Sequence, residues 1–304
     1  MSGAASAHRR ALVYMLIAPV CWSTGGLFVR LLSFQDAWEI VFWRSLFMAL
    51  FVAIALAVMH RARMPSAVSA VGWPGLLSAA FLAGQFFLFI ASLTRTTVAN
   101  TFVLMSISPF LAALAARIFL HERVPVRTVV AMTIAFAGIV VMFTDSLDAG
   151  RLAGNLLAIG VSVLFALNVT VLRKVHSSVD MLPTVMIAGL MSIVVALPMS
   201  MPFQATATDL AVLAVMGSVQ LGTGCLLLVA ASRHLKATEL GLLALLEPIL
   251  GPIWVWALLG EHPGQLAIVG GAIVLGAVIA NEAYGTWRGR SGSSDAASTP
   301  TPGP

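Results

Sequence analysis

The sequence predicts an all-α, polytopic membrane protein with ten transmembrane helices, arranged as two inverted five-helix repeats around a central cavity. Three observations predict this fold: the hydrophobic content, the distribution of basic residues and an internal repeat. Of the 304 residues, 60% are hydrophobic and only 10% are charged. A soluble protein carries about 25% charged residues, so this composition indicates a membrane protein.

Ten apolar segments are long enough to cross a bilayer. The hydrocarbon core is about 30 Å thick and requires roughly 20 apolar residues per helix. The segments are 12–32, 38–59, 72–93, 97–119, 126–144, 153–172, 181–201, 209–231, 237–259 and 264–283. The first is too long for the core of a signal peptide and is interpreted as a retained helix. The continuous runs also differ from the short alternating strands of an outer-membrane barrel.

Basic residues are concentrated between alternate spans. If the N-terminus is cytoplasmic, the inner segments hold six pairs, which are twelve of the seventeen Lys and Arg residues, and the outer loops hold three. The pairs are Arg9 and Arg10, Arg61 and Arg63, Arg123 and Arg127, Arg173 and Lys174, Arg233 and Lys236, and Arg288 and Arg290. This positive-inside pattern predicts that both termini face the cytoplasm. The net charge of +5 therefore reflects orientation and does not indicate nucleic-acid binding.

The sequence lacks the motifs of a soluble or intramembrane enzyme. No Walker motif, HExxH or GxSxG occurs, and all six histidines fall in predicted loops or tails. Cys21 and Cys225 fall inside predicted spans, which disfavours a structural disulfide. We therefore expect no catalytic residue, no metal and no cofactor. The low-complexity segment 285–304 is predicted to be a disordered cytoplasmic tail.

The chain contains an internal repeat. The segment Val98–Glu122 aligns with Ala237–Glu261 at a constant offset of 139 residues. Proline falls on proline and glutamate on glutamate: Pro109 on Pro248, and Glu122 on Glu261. Each copy holds five predicted helices, and because five is odd the second copy enters the membrane upside down. Inverted repeats of this kind are typical of secondary transporters.

Ten helices, two five-helix repeats and a proline-bearing fourth helix that ends FLHE or LLGE resemble the drug/metabolite transporter superfamily, specifically its EamA-type branch. The resemblance implies one repeat at 11–145 and a second, inverted repeat at 150–284. It also implies a basket-shaped fold, a location in the bacterial inner membrane and export of metabolites without ATP. A monomer would suffice for this activity. Within the branch, the chain resembles bacterial exporters of aromatic or many different amino acids.

Polar and aromatic residues on helix faces are the candidate substrate contacts. They are Glu247, Trp22, Gln85, Phe89, Thr101, Met105, Ser108, Gln220 and Trp254. Such a lining suits a small amphipathic molecule, although small and hydroxyl residues also line ordinary helix contacts in lipid. Because proline removes a backbone hydrogen bond, Pro109, Pro248 and Pro252 are the predicted hinges.

Glu247 and Arg44 are the unusual charges within spans. A charged side chain at the bilayer centre costs about 2.5–3.5 kcal/mol and usually faces an internal cavity. Three roles for Glu247 stay open: binding a substrate ammonium, taking up a proton, or pairing with a buried base or hydroxyl. We expect Arg44 to snorkel to the outer interface near Asp36 or Glu39. Capture of a substrate carboxylate is the alternative for Arg44.

These observations predict a secondary transporter that exports small amphipathic metabolites, above all aromatic and other hydrophobic amino acids, by alternating access. An exporter of lipophilic drugs or nucleosides is the alternative. An intramembrane enzyme or a lipid scramblase is disfavoured, because an enzyme would need paired titratable groups at one depth and only Glu247 qualifies. The coupling ion and the oligomeric state stay open.

Overall fold

The computed structural model describes residues 2–96, 98–144, 152–175, 180–259, 265–266 and 268–281. Over these residues the chain is helical and contains no strand. The helices are α1 Ser2–Ser23, α2 Gly25–Leu31, α3 Ala37–His60, α4 Met64–Ala70, α5 Gly72–Leu93, α6 Val98–Met105, α7 Ser108–Phe119, α8 Val126–Phe143, α9 Leu152–Val175, α10 Pro183–Ala196, α11 Ala207–Val215, α12 Gly224–Ala231, α13 Ala237–Ala244, α14 Leu246–Leu259 and α15 Ile268–Asn281. A π-helical stretch, Met216–Thr223, joins α11 to α12.

Several of these helices have the length and composition of membrane spans. Among the described residues, six helical segments are long and apolar enough to cross a bilayer: Ser6–Leu31, Ala37–His60, Gly72–Leu93, Thr101–Phe119, Leu152–Val175 and Ala207–Ala231. Shorter apolar helices cover Val126–Val141, Pro183–Met199 and Ile268–Asn281. The all-helical, multi-span prediction is therefore confirmed, and the total of ten spans stays a prediction.

Two of the apolar segments are broken near a proline. The helix formed by α6 and α7 is interrupted at residues 106–107, just before Pro109, and the helix formed by α13 and α14 is interrupted at Leu245, just before Pro248. Proline has no N–H for the carbonyl four residues earlier and its ring collides with that carbonyl. The aligned prolines of the two repeats thus produce a break at the same place in each copy.

One end of the helix bundle, which we call the basic end, is held by ion pairs between the two halves of the chain. Arg173 Nη2 lies 2.9 Å from Glu122 Oε1. Asp180 Oδ2 lies 3.0 Å from His60 Nε2, and Asp180 Oδ1 pairs with Arg233. His60 and Glu122 belong to the first half, whereas the other three residues belong to the second.

The opposite end is closed by buried carboxylates that accept hydrogen bonds. Asp209 accepts from the backbone N–H of Ser33 at 2.9 Å and from its hydroxyl at 2.6 Å. Glu39 accepts from the backbone N–H groups of Gln204 and Ala205, each at 2.9 Å. These bonds also join the first half of the chain to the second, so both ends of the bundle are tied across the halves.

The two halves run in opposite directions. The start of α1 lies at the basic end, where His8 Nδ1 is 3.4 Å from the carbonyl oxygen of His234. The start of α9 lies at the opposite end, where Asn155 Oδ1 accepts from the Thr96 hydroxyl at 2.9 Å, and α9 reaches the basic end at Arg173. The first half therefore begins at the basic end and the second half begins at the opposite end, as the inverted repeat requires.

Glycines allow close crossings between the halves. A Cβ on Gly241 of α13 would lie 2.9 Å from Pro109 Cα of α7. A Cβ on Gly217 in the π-helical stretch would lie 2.4 Å from the Arg44 carbonyl oxygen of α3. Since neither distance accommodates a side chain, these two crossings require glycine.

Candidate functional site

A cavity lies between the halves, next to both proline-associated breaks. The cavity has a volume of about 100 Å³, which is several times the roughly 10–15 Å³ that one water requires. Met105, Ser106 and Ser108 line it at the first break, and Ala244, Leu245, Glu247 and Pro248 line it at the second. Bending at either break would therefore change the shape of the cavity directly.

Most of the predicted substrate contacts share this cavity. Those on its wall are Trp22, Gln85, Phe89, Met105, Ser108, Gln220 and Glu247. They come from α1, α5, α6, α7, α14 and the π-helical stretch, so residues far apart in sequence meet at one place. That they contact a substrate stays a prediction.

Thr101 and Trp254 are placed elsewhere. Thr101 is fully buried, and its hydroxyl lies 2.9 Å from that of Ser92, which also donates to the Gly154 carbonyl at 3.0 Å. Trp254 Nε1 donates to Ser23 Oγ at 2.8 Å. Helical spacing placed Thr101 on the face of Ser108, but the break between α6 and α7 interrupts that spacing. Both side chains tie helices together and do not line the cavity.

The three predicted hinge prolines have different surroundings. Pro248 lines the cavity, and Pro109 packs against Gly241 at the crossing of α7 and α13. Position 252 lies inside α14, which runs without a break from Leu246 to Leu259. The structure therefore offers breaks near two of the three prolines.

Glu247 lies in the first turn of α14, where the positive end of the helix dipole favours a carboxylate. Its side chain is half-buried and faces the cavity. Within the described part of the chain, no hydrogen bond or ion pair reaches this carboxylate. The pairing role considered for Glu247 thus has no partner here, whereas binding an ammonium and taking up a proton both fit an accessible carboxylate.

Arg44 does not snorkel to the interface. It is 1% exposed, lines the cavity, and its guanidinium carbon lies 5.6 Å from the centre of the Phe86 ring. Its expected partners are engaged elsewhere: Glu39 with the 204–205 backbone, and Asp36 with the N–H of Glu39 at 2.8 Å as the cap of α3. An arginine in an otherwise apolar run indicated a cavity residue. Its contact with Phe86 could not be predicted from the sequence, because the two residues lie on different helices.

Sequence reasoning missed several other wall residues. They are Leu82, Phe86, Phe102, Ser106, Val161, Ser162, Phe165, Leu221, Cys225 and Leu228. The Ser162 hydroxyl of α9 donates to the Met105 carbonyl at 3.1 Å. Gln220 Nε2 donates to the Trp22 carbonyl at 3.2 Å, while its Oε1 is buried without a partner. The wall is therefore mostly aromatic and apolar, with a few polar groups and two charges.

Comparisons with known proteins agree with this architecture. A family model described as the EamA-like transporter family matches residues 9–144 and again residues 152–281. Among 29 solved chains that match, one described only as "Crystal structure of protein" has a TM-score of 0.77 and 16% sequence identity. The match covers 88% of this chain and 95% of that chain, and at this identity it shows the fold alone. The search of curated proteins gives no match.

Proposed function

The chain belongs to the EamA-like transporter family, and we propose that it exports aromatic and other hydrophobic amino acids from the cytoplasm by alternating access. Membership covers nearly the whole chain in two copies, so the protein is a multi-pass membrane transporter of small molecules. The substrate class is the finer, proposed part.

The observation that carries the proposal is the unpaired Glu247 carboxylate on an aromatic cavity. A carboxylate without a protein partner in a low-dielectric site favours a cationic group such as an ammonium. Trp22, Phe86 and Phe89 line the same space and offer rings to an aromatic side chain, a contact worth about 0.5–1.5 kcal/mol beyond area burial. An aromatic amino acid would use both features at once.

Two elements support alternating access. The breaks beside Pro109 and Pro248 allow bending next to the cavity. The contacts between the halves at each end of the bundle are hydrogen bonds and ion pairs that can break and re-form, so one end could open while the other stays closed. Substrate binding would neutralise the Glu247 charge and would therefore favour the arrangement in which the cavity is closed around the substrate.

Flux in proteoliposomes tests the proposal. Purified protein should accelerate uptake of phenylalanine, tryptophan and methionine, with weak discrimination among them. Glu247→Gln keeps the shape and removes the charge, so it should lower this flux while the protein still folds. Glu239→Gln is the matched control, because Glu239 lies in the same predicted span and, among the described residues, accepts the N–H of Lys236 at 2.8 Å, which glutamine can also do.

A second variant tests the role of the rings. Trp22→Ala should impair phenylalanine flux more than threonine flux, because only phenylalanine presents a ring to the indole. Flux of lipophilic drugs or nucleosides without any amino acid would support the alternative substrate class. Flux of nucleotide sugars but no amino acid would contradict the proposal, since a dianionic cargo needs several basic residues at cavity depth.

A further inference from the structure

We propose that Arg44 is a second charged subsite, which binds the carboxylate of the same substrate whose ammonium group binds Glu247. This inference rests on the proposed function and specifies it: the cargo must be a zwitterion, with both charges of a free α-amino acid. Amines that lack the carboxylate and acids that lack the ammonium would be poor substrates.

The guanidinium of Arg44 has hydrogen-bonding capacity that the described residues do not use. Arginine carries five N–H donors, and among these residues it makes one hydrogen bond, from Nη2 to the Phe86 carbonyl at 3.4 Å. The Arg44 Nε is buried without a partner, and no carboxylate of the described residues pairs with this side chain. A buried charge left in this state is costly, and a carboxylate on the ligand matches the planar fork of the guanidinium.

Arg44 and Glu247 belong to one cavity but do not neutralise each other. They lie on α3 and α14, and both line the same space. Within the described residues no ion pair joins the two. A single ligand that carries both charges can compensate both side chains at once.

A ligand with a single charge leaves the opposite protein charge exposed to the cavity. An amine would satisfy Glu247 and leave Arg44 uncompensated, and a monocarboxylate would do the reverse. The unpartnered Oε1 of Gln220 adds an acceptor on the same wall, which suits an ammonium with three N–H groups. The remaining wall is mostly apolar and aromatic and carries no further charged side chain, so the side chain of the substrate needs no charge.

A series of three ligands tests this division of charge. Phenylalanine, phenethylamine and 3-phenylpropanoate share the phenyl group and differ in which charges they carry. Wild-type protein should transport phenylalanine in preference to both analogues, and it should be thermally stabilised by phenylalanine more than by either. Equal transport of phenethylamine and phenylalanine would overturn the inference without any variant.

Variants assign each charge to its residue. Arg44→Gln should lower phenylalanine flux by about ten- to hundredfold, as expected when a hydrogen bond to a charged group is lost. It should not lower phenethylamine flux and should raise it, because the variant removes the positive charge that an amine leaves uncompensated. The preference for phenylalanine therefore disappears. Arg44→Lys keeps a charge without the fork and should retain part of the flux. Arg123→Gln, at an exposed position outside the cavity wall, is the control.

The outcomes separate this inference from the proposed function. If the wild-type protein transports no amino acid, the proposed function fails. If it transports phenylalanine and Arg44→Gln lowers phenylalanine and phenethylamine flux by the same factor, the function stands and the carboxylate subsite is wrong. Stabilisation by chloride as strong as that by phenylalanine would instead assign Arg44 to an inorganic anion and overturn the inference.

Discussion

The Ser162 hydroxyl donates a hydrogen bond of 3.1 Å to the Met105 carbonyl. In an uninterrupted helix this carbonyl would accept the backbone N–H of residue 109, but that residue is proline and has none. Ser162 belongs to α9 in the second half, whereas Met105 ends α6 in the first half. The break created by Pro109 is therefore held by a side chain of the other repeat, as backbone groups at membrane depth require.

Ser162→Ala should destabilise the protein. Removing the hydroxyl leaves a buried carbonyl with a lost partner, which costs about 1–3 kcal/mol. Thermal unfolding in detergent measures the change. Thr133→Ala is the control, because its hydroxyl is exposed and, in the part of the chain that the structure describes, donates to the Val129 carbonyl of its own helix at 2.9 Å. Equal losses in the two variants would show that the bond to Met105 has no special role.

The sequence was sufficient for the features that depend on local composition. Long apolar runs predict helices irrespective of their neighbours, and the aligned Pro109 and Pro248 predict breaks because proline lacks an N–H. The position of Glu247 beside a cavity could be predicted because a lone acid in an apolar run is costly to expose to lipid and usually faces an internal cavity.

The features that the sequence did not reveal depend on contacts between distant residues. Glu39 is unavailable to Arg44 because backbone N–H groups 165 and 166 residues away occupy it. Thr101 leaves the predicted face because a helix break, and not an ideal period, separates it from Ser108. Helical spacing predicts which residues share a face, but it does not predict which face meets the cavity.

Gly241→Ala should impair both stability and transport. Its Cβ would lie 2.9 Å from Pro109 Cα, and a backbone atom cannot move aside as a flexible side chain can. Overpacking of this kind costs about 1–3 kcal/mol, and it should separate α7 from α13 at the break. Thermal unfolding and phenylalanine flux measure the two effects.

Gly276→Ala provides a matched control for this substitution. Gly276 also lies in a helix, but among the described residues no heavy atom beyond its own stretch of helix lies within 4 Å of the position of an added Cβ. Alanine is favoured over glycine in helices by about 0.5–1 kcal/mol, so this variant should be as stable as the wild type or more so. A similar loss in both variants would refute the role of the Gly241–Pro109 crossing.

Asp180→Asn should loosen the basic end. Asp180 bridges His60 of the first half and Arg233 of the second, and asparagine removes the carboxylate charge that pairs with Arg233 and one of the two oxygens that make this bridge. We expect Cys225 on the cavity wall to react faster with N-ethylmaleimide, in a Cys21→Ala background. Phenylalanine should slow the reaction in both proteins if it occupies the cavity.

Asp36→Asn is the comparison for the labelling experiment. Asp36 caps α3 at the opposite end by accepting the N–H of Glu39 at 2.8 Å, and asparagine is also a good cap. In the Asp36→Asn variant, the labelling rate of Cys225 should match that in the unsubstituted background. If Asp180→Asn also leaves the rate unchanged, the ion pairs of the basic end do not limit access to the cavity.

The charge asymmetry of the bundle predicts its orientation in the membrane. The basic end carries most of the Lys and Arg pairs, and such residues are retained on the cytoplasmic side. Ser66 is exposed on α4 beside Arg63, and Thr208 is exposed at the start of α11, at the end closed by Asp209. In a background without Cys21 and Cys225, Thr208→Cys should react with a membrane-impermeant maleimide in intact spheroplasts. Ser66→Cys should react only after lysis. The reverse pattern would place both termini outside the cell and contradict the predicted orientation.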